Sequence, residues 1–470
     1  MNILPVLLWT DALIYLLLVV VVVFIVIARR KEHLREPWRE VLRSKMAMGS
    51  LVILLAYVAV GLLDSLHFRS ALPDAGGSNG RVDYSTEVLS VLDVLATPLR
   101  ARTEKTYSAP FATHSYAKET VARPDGTQVR EFPRLQFGGA HLQDPVAERG
   151  GDILVRSLQA VALGVLVWLT ASLAVIAALA RRSAISFRRV FSDVIYGQTA
   201  VPWRVILLTV GALILLIVWA AGLSGYYHIF GTDKVGQDVL YAALKSIRTG
   251  LVIGTLTTLV TLPFAMLGVL AGYFSGWVDD VVQYVYTTLN SIPDVLLIAA
   301  AILVLQVYMA NHPDQFETTI ERADLRLLFL CIILGITNWT GLARLLRGET
   351  LKLREMDYVQ AAVALGTTHS AVIWRHLIPN VMHIILITVV LSFSGLVLAE
   401  AVLSYVGVGV DPSTISWGNM INSARMEMAR EPMVWWSLLA AFIFMFTLVL
   451  AANLFADRVR DAFDPRLRKL

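Results

Sequence analysis

Nine long apolar blocks dictate what this chain can fold into. Residues 6–28, 47–63, 153–180, 205–223, 251–273, 285–307, 327–343, 384–402 and 434–454 are apolar over most of their length. Roughly 17–25 such residues carry a helix across the hydrocarbon of a bilayer. The weakest block is 327–343, whose end holds Asn338 and Trp339. Hydrocarbon offers no partner to an open backbone amide, so all nine are expected to be helical. Of the 470 residues, 56% are hydrophobic and 16% charged, against about 45–50% and about 25% in soluble domains. The surplus lies in the blocks, so the expected class is an all-α integral membrane protein with about nine transmembrane helices in a lipid bilayer. A net charge of +4 is too small to argue for nucleic acid. Cys331 is the single cysteine, which leaves no intrachain disulfide or cysteine-based metal cluster.

Orientation follows from basic residues in short loops, which stay cytoplasmic. Arg29, Arg30, Lys31, Arg35, Arg39, Arg43 and Lys45 lie between the first two blocks, and Arg181, Arg182, Arg188 and Arg189 follow the third. Arg344, Arg347, Lys352, Arg354 and Arg375 lie between the seventh and eighth, and Arg458, Arg460, Arg466, Arg468 and Lys469 end the chain. An outside N-terminus with nine crossings places all four clusters and the C-terminus in the cytoplasm. The first block lacks the leading positive charge and short apolar run of a cleaved signal peptide, so a retained anchor is expected.

Residues 67–152 form the one long polar stretch, placed outside by this topology. Pro73 to Gly80 reads as a loop. Residues 85–102 read as a helix with Val88, Leu92 and Leu95 on one face. Residues 116–123 and 127–132 flank Pro124-Asp125-Gly126 as a hairpin. A small external α+β domain is expected, with His114 and His141 as surface histidines and no catalytic grouping.

Residues 344–380 carry the most information. Residues 356–365 show apolar Val359, Ala362 and Val363 at helical spacing. Gly366 supplies the left-handed stop, and Thr367 or Thr368 can cap a second short helix. Pro379 then begins the eighth span, where its missing N–H costs nothing. Two short helices joined at a glycine suit a part gripped and moved by a partner; the competing reading is an amphipathic loop on the membrane surface.

Gln360-Ala361-Ala362, with Gly366 six positions on and Ile378-Pro379 closing the segment, resembles the coupling loop of binding-protein-dependent ABC importer permeases. Gln360 stands where the family carries glutamate, which exchanges a charge for a hydrogen-bonding amide. From about residue 228 onward the chain is similar to the C-type subunit of dipeptide/oligopeptide permeases. The matching residues are His228-Ile229-Phe230-Gly231-Thr232-Asp233 with Gly236 and Asp238, Ala271-Gly272-Tyr273-Phe274, Gly276-Trp277-Val278-Asp279, Ser291-Ile292-Pro293, Ser416-Trp417-Gly418-Asn419-Met420, and Arg460-Asp461-Ala462-Phe463-Asp464-Pro465-Arg466. Asp238 is expected to cap an amphipathic helix over 239–248 near the outer surface.

The resemblance implies a six-helix importer core plus extra N-terminal helices. The expected division is an anchor and basic loop (1–45), a span (46–66), the external domain (67–152), a transmembrane hairpin (153–225) and the core (226–470). Either block 47–63 or block 205–223 supplies the first core span. The resemblance also implies a second permease chain, two ATPase subunits that bind the ATP, and an external solute-binding protein, with no cofactor held by this chain. Peptides or related small solutes would be the cargo, moved by alternating access.

Glu400, near the outer end of the eighth block, is a charge in a span, and such residues face protein interior or a water-filled path. It is expected to line the route or a subunit contact, or else to serve helix packing. Asn290 and Ser291 either break the sixth span beside a conduit or pack helices. No phosphate-cradling G-x-x-x-x-G-K-[S/T] loop, HExxH or nucleophile elbow occurs, so ATP hydrolysis by this chain itself is not expected. The competing functional class is a membrane sensor or scaffold whose external domain binds a ligand; a membrane-embedded hydrolase is disfavoured.

Overall fold

The computed structural model describes residues 3–30, 32–71, 84–122, 128–312 and 318–463. The chain divides into two compact units. The first comprises Met1–Val6, Arg39–Arg248 and Ile415–Phe455, and the second comprises Leu7–Trp38, Thr249–Thr414 and Ala456–Leu470. The N-terminal strand β1 (Ile3–Val6) leads into helices α1 (Trp9–Arg30), α2 (Glu32–Arg43) and α3 (Lys45–Asp64). The segment after α3 holds strands β2 (His67–Ser70) and β3 (Leu89–Ser90), helices α4 (Val91–Leu95) and α5 (Thr97–Arg100), and strands β4 (Glu119–Ala122) and β5 (Gln128–Glu131). Helices α6 (Arg149–Ser183), α7 (Phe187–Tyr196) and α8 (Trp203–Ser224) follow, then α9 (Val239–Ala265), α10 (Leu267–Phe274), α11 (Gly276–Asn290) and α12 (Asp294–Asn311). The chain continues through α13 (Thr319–Arg354), α14 (Asp357–Ala364), α15 (His369–Val372), α16 (Ile378–Val406), α17 (Trp417–Glu427) and α18 (Trp436–Phe463).

Among the described residues nine helical stretches are long and apolar enough to cross a membrane. They are α1, α3, α6, α8, α9 with α10, α12, α13, α15 with α16, and α18. Several boundaries differ from the sequence reading, each for a physical reason. The first span begins at Trp9, because Ile3–Val6 pairs antiparallel with His67–Ser70, Val6 opposite His67. Backbone groups taken up by a strand cannot also open a helix. The fifth span begins at Val239, so the expected surface helix over 239–248 is its first turns. Val239, Leu240, Ala243 and Ile247 are buried and nothing breaks the helix before Leu251. The block at 285–307 straddles two helices, because Ser291-Ile292-Pro293 separates α11 from α12 and the span proper is α12.

The segment after α3 mixes short helices and strands. Its helix starts at Ser90, not Ser85: the Ser90 hydroxyl accepts from Asp93 N while the Asp93 carboxylate accepts from Ser90 N. Such a reciprocal capping box satisfies two otherwise open amides. Pro98 begins the next helix, α5. Strands β4 and β5 pair with Glu119 opposite Glu131 and Ala122 opposite Gln128. The Pro124-Asp125-Gly126 turn and the loop at 73–80 lie outside the described residues, as do Lys31 and residues 464–470.

In the second unit α10 crosses α13 at very short range. A Cβ on Gly268 would stand 2.0 Å from the Ala343 carbonyl oxygen. Membrane helices gain dispersion contact through such small residues, since lipid leaves little hydrophobic drive between them. Gly268→Val is therefore expected to lower stability by about 1–3 kcal/mol through overpacking. Gly341→Ala, whose added Cβ meets nothing within 4 Å, should stay close to wild type. Thermal unfolding of the purified protein in detergent compares the two; equal stability would contradict the close crossing.

Candidate functional site at the Gly366 elbow

Beyond Arg354 the chain turns through α14 and ends it with two backbone bonds. Thr367 N donates to Ala362 O and Gly366 N to Val363 O, each over 3.0 Å. This is the Schellman pattern, which needs a left-handed residue, and Gly366 has φ +78. Thr368 occupies the capping position of α15 in an extended conformation, but its side chain makes no capping bond. The second short helix does not stop before the eighth span, as the sequence reading had it. Residues Ile373–Leu377 form one π-helical turn that joins α15 directly to α16. Pro379 removes one amide just past that turn, and a wider turn accommodates the missing bond. The elbow and the span are thus one continuous body.

The elbow is pinned at its base. Val359, Val372, Ile373 and Leu377 are buried in one cluster with Tyr273, Trp339 and Leu346. The Arg347 guanidinium grips Asp279 with Nε on Oδ1 and Nη2 on Oδ2, the latter at 2.6 Å. Such a fork fixes direction as well as distance. The hydrogen bonds from Arg347, opposed by partial burial, hold the Asp279 carboxyl below its ordinary range. Arg354 donates to Tyr273 O at 3.4 Å and to the Ser275 hydroxyl. The Tyr273 hydroxyl and His369 Nδ1 stand 2.8 Å apart. On the outward side Gln360 and Ala361 are exposed and Ala362 is half-buried. Leu365 is 86% and Trp374 69% exposed, with Tyr358 and Val363 also open. The Gln360 amide reaches only Glu355, at 3.4 Å to its carbonyl and carboxylate. A stiffly mounted apolar tip is what the arrangement presents.

The remaining sequence candidates fall in two other places. Asn290 and Ser291 lie together at the break before α12: Thr340 Oγ1 donates to Asn290 Oδ1 at 2.9 Å, and Ser291 Oγ to Thr288 O at 2.6 Å. Both are exposed. Glu400 lies on α16, 2% exposed, and accepts from Ser404 Oγ at 2.8 Å. Protein therefore surrounds its carboxylate, as a charge within a span requires.

The outer motif is a network of buried polar groups. Gly231 turns the chain at φ +67. Thr232, fully buried, accepts from Ser108 N and donates to Thr106 O. Asp233 Oδ1 accepts from Val235 N and Gln237 N at 2.9 Å, and its burial pushes its carboxyl up. Asp238 caps α9, its Oδ1 accepting from Leu240 N at 2.8 Å and Tyr241 N at 3.3 Å. Its other oxygen meets His228 Nδ1 at 2.7 Å, and His228 Nε2 lies 3.4 Å from Glu104 Oε1. Glu104 accepts from the amides of Gln136, Phe137 and Gly138. Sequence reasoning missed Glu104 and the bond of Lys245 Nζ to the Asp93 carboxylate, because these pairs are far apart along the chain. It also missed the gripping role of Asp279 and Arg347, although Asp279 belongs to a motif it had marked.

Burial by itself lowers the His228 pKa, but the flanking carboxylates of Asp238 and Glu104 outweigh it and push it up to about 9. Burial raises that of Glu104, but His228 and the three amides bring it down to about 2. A raised histidine stabilises fully below its unfolded value of 6.5 and loses that as pH rises through 9. A depressed glutamate stabilises above 4.5 and loses that as pH falls through 2. The melting temperature of wild type minus that of His228→Gln should thus be largest between pH 4.5 and 6.5 and shrink towards pH 9. A difference independent of pH would contradict the buried charged pair.

The chain is a multi-span helical protein with an elbow between two of its candidate spans. Residues 265–469 match the family described as the binding-protein-dependent transport system inner membrane component. The chain is similar to an oligopeptide transport system permease protein of Mycobacterium bovis, 31% identical over 247 residues, or 52% of this chain and 78% of that one. It is similar to a glutathione transport system permease protein of Pectobacterium atrosepticum, 30% identical over 244 residues, or 51% and 73%. A dipeptide transport system permease protein of Bacillus subtilis is 28% identical over 243 residues, or 52% and 70%. The chain belongs to this family of inner-membrane transport permeases, whose members are non-catalytic membrane subunits.

Proposed function

We infer that this chain forms one half of the translocation route of an ATP-driven importer for peptides, and that the Gly366 elbow receives the force of ATP hydrolysis. The observation that carries the reading is the mounting of the elbow. Its exposed tip at Val363, Leu365 and Trp374 offers an apolar contact; its base sits in an apolar cluster shared with α10 and α13, and Arg347 and Arg354 lock α13 to the α10–α11 corner beneath it. A push on the tip moves α13 and α16 as a body, which is what alternating access requires. Gln360, Ala361, Ala362, Gly366 and Pro379 form the coupling segment. Glu400, carried on α16, moves with it and lines the route or a subunit contact; Asn290 and Ser291, at the separate break before α12, are further candidates for the route. The names of relatives that carry oligopeptides, dipeptides and glutathione support a peptide cargo.

The partners are a second permease chain, two ATPase subunits and an external solute-binding protein. The N-terminus lies outside and the C-terminus in the cytoplasm. Two features support this orientation: β1 pairs with β2, so the N-terminus shares a side with the start of the polar segment, and the basic clusters lie at the opposite ends of the spans. The external domain over 67–152 is read as a fixed outer cap on the membrane helices.

Space around Gly366 is open, since an added Cβ meets nothing within 4 Å; only the positive φ resists substitution. Gly366→Val is therefore expected to insert and to copurify with its ATPases, while substrate-stimulated ATP hydrolysis falls at least about tenfold. Gly366→Asn, which tolerates left-handed backbone, should keep most of it. ATPase assays in proteoliposomes read this out. Full stimulation in the valine variant would remove the coupling role.

A further inference from the structure

Helix α7 lies between two spans and outside the region that matches the family. It is short, with two faces that behave differently. Val190 and Val194, four apart, are buried against Ile176 and Ala180 of α6. Phe187, Phe191 and Ile195, also four apart, are 45%, 37% and 46% exposed. Spacing of four keeps each set on one stripe. The Phe187 and Phe191 rings stack with centroids 6.0 Å apart, which stiffens the open stripe. Around this stripe stand Arg181, Arg182, Arg188 and Arg189, all exposed. Among the described residues no ion pair involves any of these four arginines. A cavity of about 320 Å³ opens at the α6–α7 corner, lined by Ala177, Ala180, Arg181, Ala184, Ile185 and Phe187.

We propose that α7 is an interfacial helix that seats in the bilayer surface and binds anionic phospholipid. It joins two candidate spans, α6 and α8, through short connections, which keeps it near a membrane surface. An amphipathic helix with aromatic residues on one side and arginines beside them lies in the plane of that surface. The uncovered Phe187–Phe191–Ile195 stripe enters the acyl boundary. Four exposed guanidiniums match phosphate oxygens in charge and in fork geometry. The corner cavity, apolar but for Arg181, takes the upper part of an acyl chain while Arg181 holds its phosphate. Charge complementarity chooses lipid over a protein partner, because a protein surface facing this stripe would have to be both apolar and acidic. The consequence is an anchor that fixes the α6–α8 hairpin at a set depth.

The test uses the full-length protein in liposomes of phosphatidylcholine alone or mixed with phosphatidylglycerol. Spin labels are attached at Phe191→Cys and, separately, at Asp193→Cys; the native Cys331 is buried and contributes little background. Oxygen accessibility should dominate at position 191 and aqueous-relaxant accessibility at 193. In detergent, titrated phosphatidylglycerol should bind the wild type at lower concentration than phosphatidylcholine. Each of Arg181→Gln and Arg188→Gln should weaken that binding about fivefold, the change that corresponds to about 1 kcal/mol per charge. Aqueous accessibility at 191, equal binding of the two lipids, or protection of 191 only after ATPase subunits are added would each overturn the proposal. Thermal melts of the arginine variants in lipid-free detergent should match wild type, which separates lost lipid binding from lost folding.

Discussion

The grip of Arg347 on Asp279 is the interaction from which the working of this molecule follows. It joins the end of a long membrane helix to the corner between α10 and α11 by two parallel bonds. Gly268 lets α10 approach the backbone of α13 within a distance that no side chain would permit. Apolar close approach holds α10 and the polar fork holds α11, both against the same helix α13. A helix bound only by exposed ion pairs would gain little rigidity, because such pairs contribute about 0–1 kcal/mol. Here partial burial and the helix crossing beneath it supply the stiffness.

From that fixed base the elbow is built with few residues. The Schellman bonds at Gly366 reverse the chain, Val359 and Leu377 bury its inner side, and the π turn at Ile373–Leu377 carries it into α16 without a joint. The tip keeps Leu365 and Trp374 in the open. An exposed apolar tip on a stiff mount is costly in isolation and explicable as one side of a contact. In the first unit the polar network around Asp238 caps α9 and ties the segment after α3 to it. Tyr241 and Lys245 reach Asp93 from α9 itself, at 2.7 Å from each.

Much of this was legible in the sequence. Block length and polarity gave nine membrane helices, because hydrocarbon imposes its requirement residue by residue. Gly366 marked the elbow since a left-handed position favours one residue type, and Asp238 marked a helix start since a carboxylate at that place has few other uses. Boundaries were less legible where two local signals competed. The sequence reading starts the helix at residue 85, whereas the Ser90–Asp93 box, which satisfies two amides at once, starts it five residues later. Strand β1 was invisible, because a four-residue strand exists only through its partner at His67–Ser70. The grip of α13 on α11 lay hidden for the same reason: Arg347 and Asp279 are 68 positions apart, and charge alone does not say which acid an arginine finds.

The proposed coupling role requires the elbow's tip to face the compartment that would hold the ATPases. Leu365→Cys presents a thiol at the most open of these positions, and the native Cys331 is buried. A membrane-impermeant maleimide applied to intact spheroplasts should leave position 365 unlabelled, and applied to inverted vesicles should label it. Labelling from the outer side of intact cells would place the elbow away from ATP and contradict the coupling role outright.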